Sequence, residues 1–270
     1  MENLFSATYQ CIMICDPAQK AQQAKALARR WRESSASEKI ATTTDKDNPE
    51  IIENPGRPTK PALVNPRKLP KRSISSQQGT AALLHAITHI EFNAINLALD
   101  AVYRFRDLPI DYYGDWLTVA DEEATHFSLL NARLSETGYH YGDFDAHNGL
   151  WDMALCTSHD VLIRMALVPR VMEARGLDVT PGIIKRFKSI GDDKSVNILN
   201  IIMRDEVGHV EIGSRWFHYF CDQRNLPREQ TYIDLMKQYA KGKVKPPLHR
   251  EARLSAGFTE MEIEYLEGSV

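Results

Sequence analysis

The chain has 270 residues, 43% of them hydrophobic, which is enough to bury one sizeable core, and we expect one main domain. Its formal net charge of −3 gives no general attraction to nucleic acid or to anionic membranes, and no apolar run approaches the ~20 residues of a membrane span. The N-terminal segment has no basic stretch followed by an apolar one, and the four cysteines form no C-x-x-C pair, so we expect reduced thiols and a cytoplasmic protein.

The first 75 residues predict an arm and a linker. Asp16 and Pro17 are typical of a helix start, with a capping acid before a proline in the first turn, and an Ala-rich stretch continues this helix to about Trp31. We interpret residues 1–40 as an N-terminal helical arm. Six prolines between residues 41 and 75 exclude a persistent helix or central strand, so this segment is predicted to be an extended linker that wraps the main domain.

The linker is also rich in cations. They are Arg57, Lys60, Arg67, Lys68, Lys71 and Arg72. These side chains would suit contact with a phosphate-bearing ligand or partner, but a solvated linker is the simpler interpretation. We therefore assign them no role from the sequence.

Four long helical patterns follow the linker, and we expect them to form a four-helix bundle over residues 76–225. They run from Ser76 to Arg106, Asp115 to Thr137, Leu150 to Arg175 and Asp193 to Arg224. Gly138 and Gly176 are interpreted as C-terminal caps, and the segment from Tyr139 to Gly149 is long enough to be a crossover between two helical hairpins. No strand pattern of useful length competes, so the predicted fold class is all-α.

Smaller helices are predicted beside the bundle. Thr180 and Pro181 open a short extra helix between the third and fourth bundle helices. Residues 226–270 are interpreted as a C-terminal helical extension. Within it, Thr259 and Glu262 have the spacing of a capping box, in which each residue binds the backbone N–H of the other.

Each bundle helix places one glutamate on its apolar stripe, at Glu91, Glu123, Glu173 and Glu206. An amphipathic helix turns this stripe toward the core, so all four carboxylates are predicted to be buried. Burial without compensation would cost on the order of several kcal/mol for each carboxylate, which a marginally stable domain could not absorb. Positive charge must therefore lie between them.

Two of these glutamates are followed three residues later by a histidine, at His126 and His209. Three residues turn a helix by about 300°, so the members of each Glu-x-x-His pair share one face. Composition predicts about 0.6 such pairs by chance, whereas the chain has two, and a lone glutamate precedes each pair by 32 or 33 residues. The repeat indicates two halves related by approximate two-fold symmetry.

We interpret these residues as ligands of two divalent metal ions. One ion would be held by Glu91, Glu123 and His126 and the other by Glu173, Glu206 and His209, with some glutamates bridging. Carboxylate-rich ligation with imidazole and without thiolate suits iron or manganese better than zinc. We expect two iron ions, with a manganese and iron pair as the alternative.

Residues near Glu173 leave alternatives open. Arg170 lies one turn before it and would neutralise a structural core glutamate as a local partner. If Glu173 binds metal instead, Arg170 and Asp205 are candidates for orienting a ligand glutamate or histidine. Pro169 removes one backbone hydrogen bond, so a kink is predicted, which either widens the bundle beside the metals or is an ordinary packing bend.

Three polar residues near the first half of the site are not predicted to bind metal. His89 lies about 200° round its helix from Glu91, so it and His85, one turn earlier, are interpreted as satisfied surface or packing histidines. Glu122 lies four residues before His126, which makes it a poorer ligand than Glu123.

Four stretches of the chain resemble a known family. They are HAITHIEFNAINLALDAVYRF, ADEEATHFSLL, MALVPRVMEARGLDVTPG and RDEVGHVEIGSRWF, and they resemble a bacterial family of ferritin-like proteins known as a domain of unknown function. The resemblance covers nearly the whole chain. It implies a ferritin-like four-helix bundle, membership of the di-iron carboxylate proteins, and the same six metal ligands. It supplies no established substrate.

The expected function follows from the site, because ferritin-like bundles support several activities. Apolar residues one turn from the ligands predict a dry pocket that suits O₂ activation and attack on an organic substrate. We therefore expect an oxidoreductase of the hydroxylase or oxygenase type, acting on a small organic molecule with O₂ and an external electron donor.

Other functions remain as alternatives. The main one is a ferroxidase or iron-handling protein without organic substrate, which would usually need a cage-forming homo-oligomer. A binding module with a vestigial metal site is disfavoured by the complete ligand set. Hydroxylation of a modified RNA base is a minor alternative, because the acidic net charge disfavours a nucleic-acid partner. No membrane partner is expected.

Overall fold

The computed structural model describes residues 3–44, 48–70, 74–240, 242 and 244–268. The predicted all-α class is confirmed, because these residues form twelve α-helices, one 3-10 turn and one π-helical segment, with a single isolated bridge between Leu63 and Ala146. The chain divides into two compact units, unit 1 (residues 1–155) and unit 2 (residues 156–270). None of the described helices has the length and apolar composition that a membrane crossing requires.

Unit 1 begins with three helices, α1 (Leu4–Met13), α2 (Pro17–Glu33) and α3 (Ala36–Thr42). The predicted start of α2 is confirmed, since the Asp16 carboxylate accepts a hydrogen bond from the backbone N–H of Gln19 at 2.8 Å. Helix α2 buries a face of alanine, leucine and tryptophan side chains, including Trp31. This face gives the arm its own contribution to the core of unit 1.

The core of unit 1 is a helical hairpin of α4 (Gln77–Arg104) and α5 (Ile110–Glu136). The Gln77 side chain donates a hydrogen bond to the Thr137 carbonyl at 2.9 Å, so the start of α4 meets the end of α5 and the helices are antiparallel. The predicted bounds of α4 are confirmed to within two residues. Helix α5 begins five residues earlier than predicted, because Pro109 at its N-cap starts the helix directly after the turn.

Residues 48–70 run in an extended course over unit 1 and are broken only by a 3-10 turn at Pro66–Lys68. The backbone N–H of Gly56 donates to the Ile12 carbonyl at 3.0 Å, and the Trp151 indole donates to the Glu53 carbonyl at 3.0 Å. These contacts hold the linker against α1, which contains Ile12, and against Trp151 near the end of unit 1. Of the predicted linker cations, Arg57 is half-buried, Lys60, Arg67 and Lys68 are exposed, and Lys71 and Arg72 lie outside the described residues.

Lys20 on α2 joins three parts of unit 1 and was not singled out by the sequence pattern. Its fully buried ammonium donates hydrogen bonds to the Ile12 carbonyl at 2.8 Å, the Gly56 carbonyl at 2.6 Å and the Asn96 side chain at 2.5 Å. The three acceptors belong to the arm, the linker and α4. Burial lowers the pKa of Lys20 to about 7, because it removes the water that stabilises the charged ammonium.

The segment after α5 packs back on α4. The Gly142 N–H donates to His85 Nε2 at 2.9 Å, and His89 Nδ1 lies 2.8 Å from the Tyr141 hydroxyl. Both histidines are buried, so the prediction that they are satisfied packing residues is confirmed. Helix α6 (Gly149–Cys156) follows and ends at the boundary of the unit.

Unit 2 starts with one long helical rod that differs from the prediction. It consists of α7 (Val161–Leu167), a π-helical segment (Val168–Glu173) and α8 (Ala174–Ser189). The single helix predicted from Leu150 to Arg175 is therefore wrong, because the chain leaves the helix between α6 and α7 and the rod continues to Ser189. Asp160 caps α7 by accepting from the Leu162 N–H at 2.7 Å, which separates this rod from α6.

Two predicted helix boundaries in this rod are wrong. Gly176 does not end a helix, and Thr180 and Pro181 do not open a separate one, because all three lie inside α8. Gly176 instead faces α9, where an added Cβ would lie 4.0 Å from Glu206 Cδ. That distance is an ordinary van der Waals contact, so Gly176 lies within the helix without being required there, and it does not mark a helix end.

The rest of unit 2 follows the prediction closely. Helix α9 (Asp193–Gln223) has the predicted bounds to within one residue, and α10 (Arg228–Tyr239), α11 (Arg250–Ser255) and α12 (Glu260–Glu267) form the C-terminal extension. The capping box is confirmed, with the Thr259 N–H donating to Glu262 Oε2 at 2.9 Å. These three helices contact the rod and α9, so the extension is a packed part of unit 2.

Candidate functional site

Three of the predicted metal ligands meet in unit 1. Glu91 comes from α4, whereas Glu123 and His126 come from consecutive turns of α5. His126 Nδ1 lies 3.2 Å from Glu91 Oε2 and 3.4 Å from Glu123 Oε2, and the ligand atoms of all three residues lie within 4.8 Å of one another. The antiparallel hairpin therefore brings together two helices whose glutamates are 32 residues apart in the chain.

These three side chains are almost completely removed from solvent, with exposed fractions of 2% for Glu91 and 0% for Glu123 and His126. Burial and the charge of Glu123 raise the pKa of Glu91 to about 8. Burial alone would lower the pKa of His126, but hydrogen bonds and the charges of the two carboxylates raise it instead. Two buried acids therefore face one imidazole nitrogen, at 3.2 Å and 3.4 Å.

This donor set fits a divalent metal ion. Two carboxylates and one imidazole are hard and borderline ligands that suit iron or manganese, and a divalent cation would neutralise the charge of the carboxylates. The two carboxylates would bind through oxygen and His126 through Nδ1, which already faces them. Glu122, next to Glu123, is half-buried and does not belong to this cluster.

Aromatic side chains lie beside the unit 1 cluster. Phe92 and Phe127 follow Glu91 and His126 directly in the chain, and their ring centroids are 5.7 Å apart. The Tyr141 ring packs on both, with centroid distances of 5.5 Å and 5.6 Å. Tyr141 was not predicted to lie here, because its position depends on how the segment after α5 folds back. Tyr141 is half-buried, and burial raises the pKa of its hydroxyl well above the usual range.

The other three predicted ligands lie in unit 2. Glu173 is the last residue of the π-helical segment, and Glu206 and His209 lie one turn apart on α9. All three are buried, and His209 Nδ1 is 4.0 Å from Glu206 Oε2. Gly176, one turn after Glu173, faces Glu206 across the packed pair of helices. The structure thus brings Glu206 and His209 together on α9, whereas Glu173, Glu206 and His209 do not form a described group whose ligand atoms all lie within 4.8 Å of one another.

The expected partner of Glu173 has a different role. The buried Arg170 guanidinium donates to Glu262 Oε2 at 2.7 Å and to the Ser214 hydroxyl at 3.0 Å, so its ion pair is with the C-terminal extension. The structural alternative, in which Arg170 would be the local partner of Glu173, is therefore not supported. The reason is packing, since α9 and α12 supply Arg170 with acceptors that helix periodicity does not reveal. Asp205, the other candidate for orienting a ligand, pairs with Arg204 at 2.7 Å.

A second buried ion pair in unit 2 was missed altogether. Arg253 on α11 donates to Asp178 on α8 at 2.8 Å, with exposed side-chain fractions of 0% and 1%. Neither residue belongs to a recognisable motif, and 75 positions separate them. Helix periodicity does not indicate that these two residues pair, and only the folded unit brings them together.

Comparisons with known proteins agree with the resemblance at the family level. A family model described as "Protein of unknown function (DUF455)" matches residues 13–264, a range that includes all six candidate ligands. An "Uncharacterized protein" of Haemophilus influenzae is 48% identical over 231 residues, which cover 82% of this chain and 80% of that relative. No solved structure matches the chain.

Proposed function

The chain belongs to the DUF455 family of proteins of unknown function, and we propose that it is a ferritin-like di-iron carboxylate protein that activates O₂. One iron ion would be held by Glu91, Glu123 and His126 and the other by Glu173, Glu206 and His209. The proposed reaction is hydroxylation or a related oxidation of a small organic substrate. An external electron donor would supply the reducing equivalents.

The observation that carries this proposal is the buried cluster in unit 1. Glu91 and Glu123 face one imidazole nitrogen within 3.4 Å, and no more than 2% of any of the three residues is exposed. A structural ion pair would need one acid for one base. Two buried carboxylates beside one imidazole are instead the oxygen and nitrogen donors of a metal site, which favours a function that uses both carboxylates.

Each residue would contribute in a defined way. Glu91 and Glu123 would provide negative oxygen ligands, and His126 would provide a neutral nitrogen once its proton is displaced. Phe92 and Phe127 would exclude water from one side, which protects reactive oxidants from side reactions. When bound, an iron pair supplies the redox chemistry for reducing O₂, which protein side chains of this kind do not supply.

The proposal is tested by counting Fe(II) oxidised in air, with excess iron and without reductant. A burst of about two equivalents per chain that then stops supports a closed catalytic site. Continued oxidation into a soluble mineral would instead support iron handling, the second candidate. Oxidation no faster than in the variant Glu123→Ala would refute a redox-active iron site.

The neighbouring variant Glu122→Ala is the matched control for this experiment. Glu122 lies on the same helix, one residue from Glu123, and is only half-buried. It should therefore oxidise iron as the wild-type protein does. Loss of the burst in Glu122→Ala as well as in Glu123→Ala would indicate general damage to α5 and not the loss of a ligand.

A further inference from the structure

The π-helical segment that ends at Glu173 contains a fully buried arginine. Arg170 is three residues before Glu173, and its guanidinium lies over the rings of Phe217, Tyr232 and Phe258 at 4.8 Å, 4.4 Å and 4.4 Å. A buried guanidinium needs a negative partner, which here is Glu262 of α12. The C-terminal extension therefore supplies the charge that stabilises this part of the rod.

Glu262 is held in place by the start of its own helix. The same oxygen, Oε2, accepts from the Thr259 N–H at 2.9 Å and from Arg170 at 2.7 Å. Because the capping box fixes the carboxylate relative to the α12 backbone, the ion pair fixes Arg170 relative to α12. The capping box at the start of α12 therefore also takes part in the ion pair with Arg170.

Two buried ion pairs from the C-terminal extension flank Glu173. Arg170 and Glu262 form one, three residues before it, and Asp178 and Arg253 form the other, five residues after it. Phe258 links the pairs, since Arg170 and Arg253 both lie over its ring, at 4.4 Å and 4.9 Å. The rod is therefore held on both sides of Glu173 by α11, α12 and the turn between them.

The backbone of the π-helical segment depends on contacts from neighbouring helices. A π-helix has wider turns than an α-helix and is uncommon, so its side chains point in directions that neighbouring contacts must maintain. Pro169 at its start packs where α9 has Gly213, and an added Cβ on Gly213 would lie 2.3 Å from Pro169 Cγ. The direction of the Glu173 side chain thus depends on contacts made from α9 and from the C-terminal extension.

We propose that the C-terminal extension positions Glu173 for metal binding through the ion pairs of Glu262 with Arg170 and of Arg253 with Asp178. This inference rests on the proposed function, because it requires that Glu173, Glu206 and His209 bind metal. Arg170 and Glu262 are positioning residues, since their contacts are with the backbone and side chains that carry the ligand. Linkage then requires that metal binding also strengthens the docking of the extension.

The test is a Co(II) titration of the full chain, followed by the visible ligand-field absorption of the bound ion. The double variant Arg170→Met/Glu262→Gln removes both charges together, so no buried charge is left unpaired, and glutamine still caps α12. We expect one of two Co(II) equivalents to bind at least tenfold more weakly, with an altered absorption spectrum. A purely structural ion pair would lower stability but leave the affinity and spectrum unchanged.

A matched control is available in the same extension. Arg250 pairs with Glu260 and Glu267, both within the extension, and is more exposed than Arg170, so Arg250→Gln should bind both Co(II) equivalents as the wild type does. The double variant binding both equivalents with wild-type affinity and spectrum would overturn the positioning role alone. A wild-type chain that binds no Co(II) would overturn the proposed metal site together with this inference.

If the double variant does not fold, Arg253→Met/Asp178→Asn tests the other ion pair in the same way. Both charges are again removed together, and Glu262 and Arg170 are left in place. The expected result is the same weakening of one Co(II) equivalent. Unchanged affinity and spectrum in this variant would equally contradict the positioning role.

Discussion

His126 Nδ1 on α5 lies 3.2 Å from Glu91 Oε2 on α4, although 35 positions separate the two residues in the chain. Glu123, one turn before His126, faces the same nitrogen at 3.4 Å. This arrangement has one imidazole for two buried carboxylates. Two carboxylates and one imidazole that converge in this way are a donor set for a divalent metal ion.

The first prediction is that metal binding and stability oppose each other at Glu91. The substitution Glu91→Gln replaces an acid whose ionised form burial disfavours by a permanently neutral amide, so it should raise the free energy of unfolding of the metal-free protein by about 1–3 kcal/mol. The same variant should lose stabilisation by Mn(II). Chemical denaturation in EDTA and with Mn(II) measures both effects, and a destabilised metal-free variant would contradict the prediction.

The second prediction concerns metal binding by the candidate ligands of unit 2, Glu173, Glu206 and His209. Saturating Mn(II), a redox-silent probe in air-free buffer, should stabilise the wild type by about 2.7 kcal/mol per site at 100 times the dissociation constant. Glu206→Ala should lose part of this gain, because it removes one carboxylate ligand. Glu211→Ala, on the next turn of α9 and half-buried, should keep it. An equal gain in both variants, measured by thermal unfolding, would remove Glu206 from the ligand set.

The third prediction tests the close approach of α9 to the π-helical segment. A Cβ on Gly213 would lie 2.3 Å from Pro169 Cγ, so Gly213→Ala should destabilise the protein by about 1–3 kcal/mol. Gly208 on the same helix has nothing within 4 Å of an added Cβ, so Gly208→Ala should be neutral or stabilise by up to about 1 kcal/mol. Urea unfolding of the two variants measures the difference, and equal stabilities would show that Pro169 moves aside without cost.

The fourth prediction is a pH dependence that arises from Lys20. Because burial lowers its pKa to about 7 in the folded chain, only the unfolded chain holds this proton between pH 7 and about 10.4. The contribution of Lys20 to stability should therefore rise with pH across this window. The difference in free energy of unfolding between wild type and Lys20→Met should increase by up to about 2 kcal/mol from pH 6.5 to 8.5.

Lys25 on the same helix provides the control for this measurement. It is half-buried and does not share the three buried acceptors of Lys20, so the difference between wild type and Lys25→Met should stay constant over the same pH range. A constant difference for Lys20→Met as well would mean that its hydrogen bonds to Ile12, Gly56 and Asn96 keep the ammonium charged throughout.

Much of unit 1 was predictable because its signals are local. Ser76 and Asp16 cap the helices that they were predicted to start, and Gly138 has the positive φ of 83° expected after a helix end. The burial of Glu91 and Glu123 was predicted from the apolar stripe of each helix. Helix periodicity decides such features within four residues, so they do not depend on distant parts of the chain.

The rod of unit 2 shows where local signals fail. Glycine is typical of a C-terminal helix cap and proline of a helix start, yet Gly176 and Pro181 both lie inside α8. A π-helical segment, Val168–Glu173, lies where a kink at Pro169 was predicted, and periodicity did not predict this change of helix type. Packing overrides propensity here, because buried side chains contribute more to stability than the preference of one glycine or proline.

The sequence by itself determined the all-α class, the faces of the long helices and the pairing of each histidine with a glutamate one turn earlier. All of these follow from the 3.6-residue period of backbone hydrogen bonding. Only the tertiary structure decided that Arg170 pairs with Glu262, 92 positions away, and that Arg253 pairs with Asp178. A buried charge is stabilised by the groups that surround it in space, and no periodic pattern along the chain encodes which groups these are.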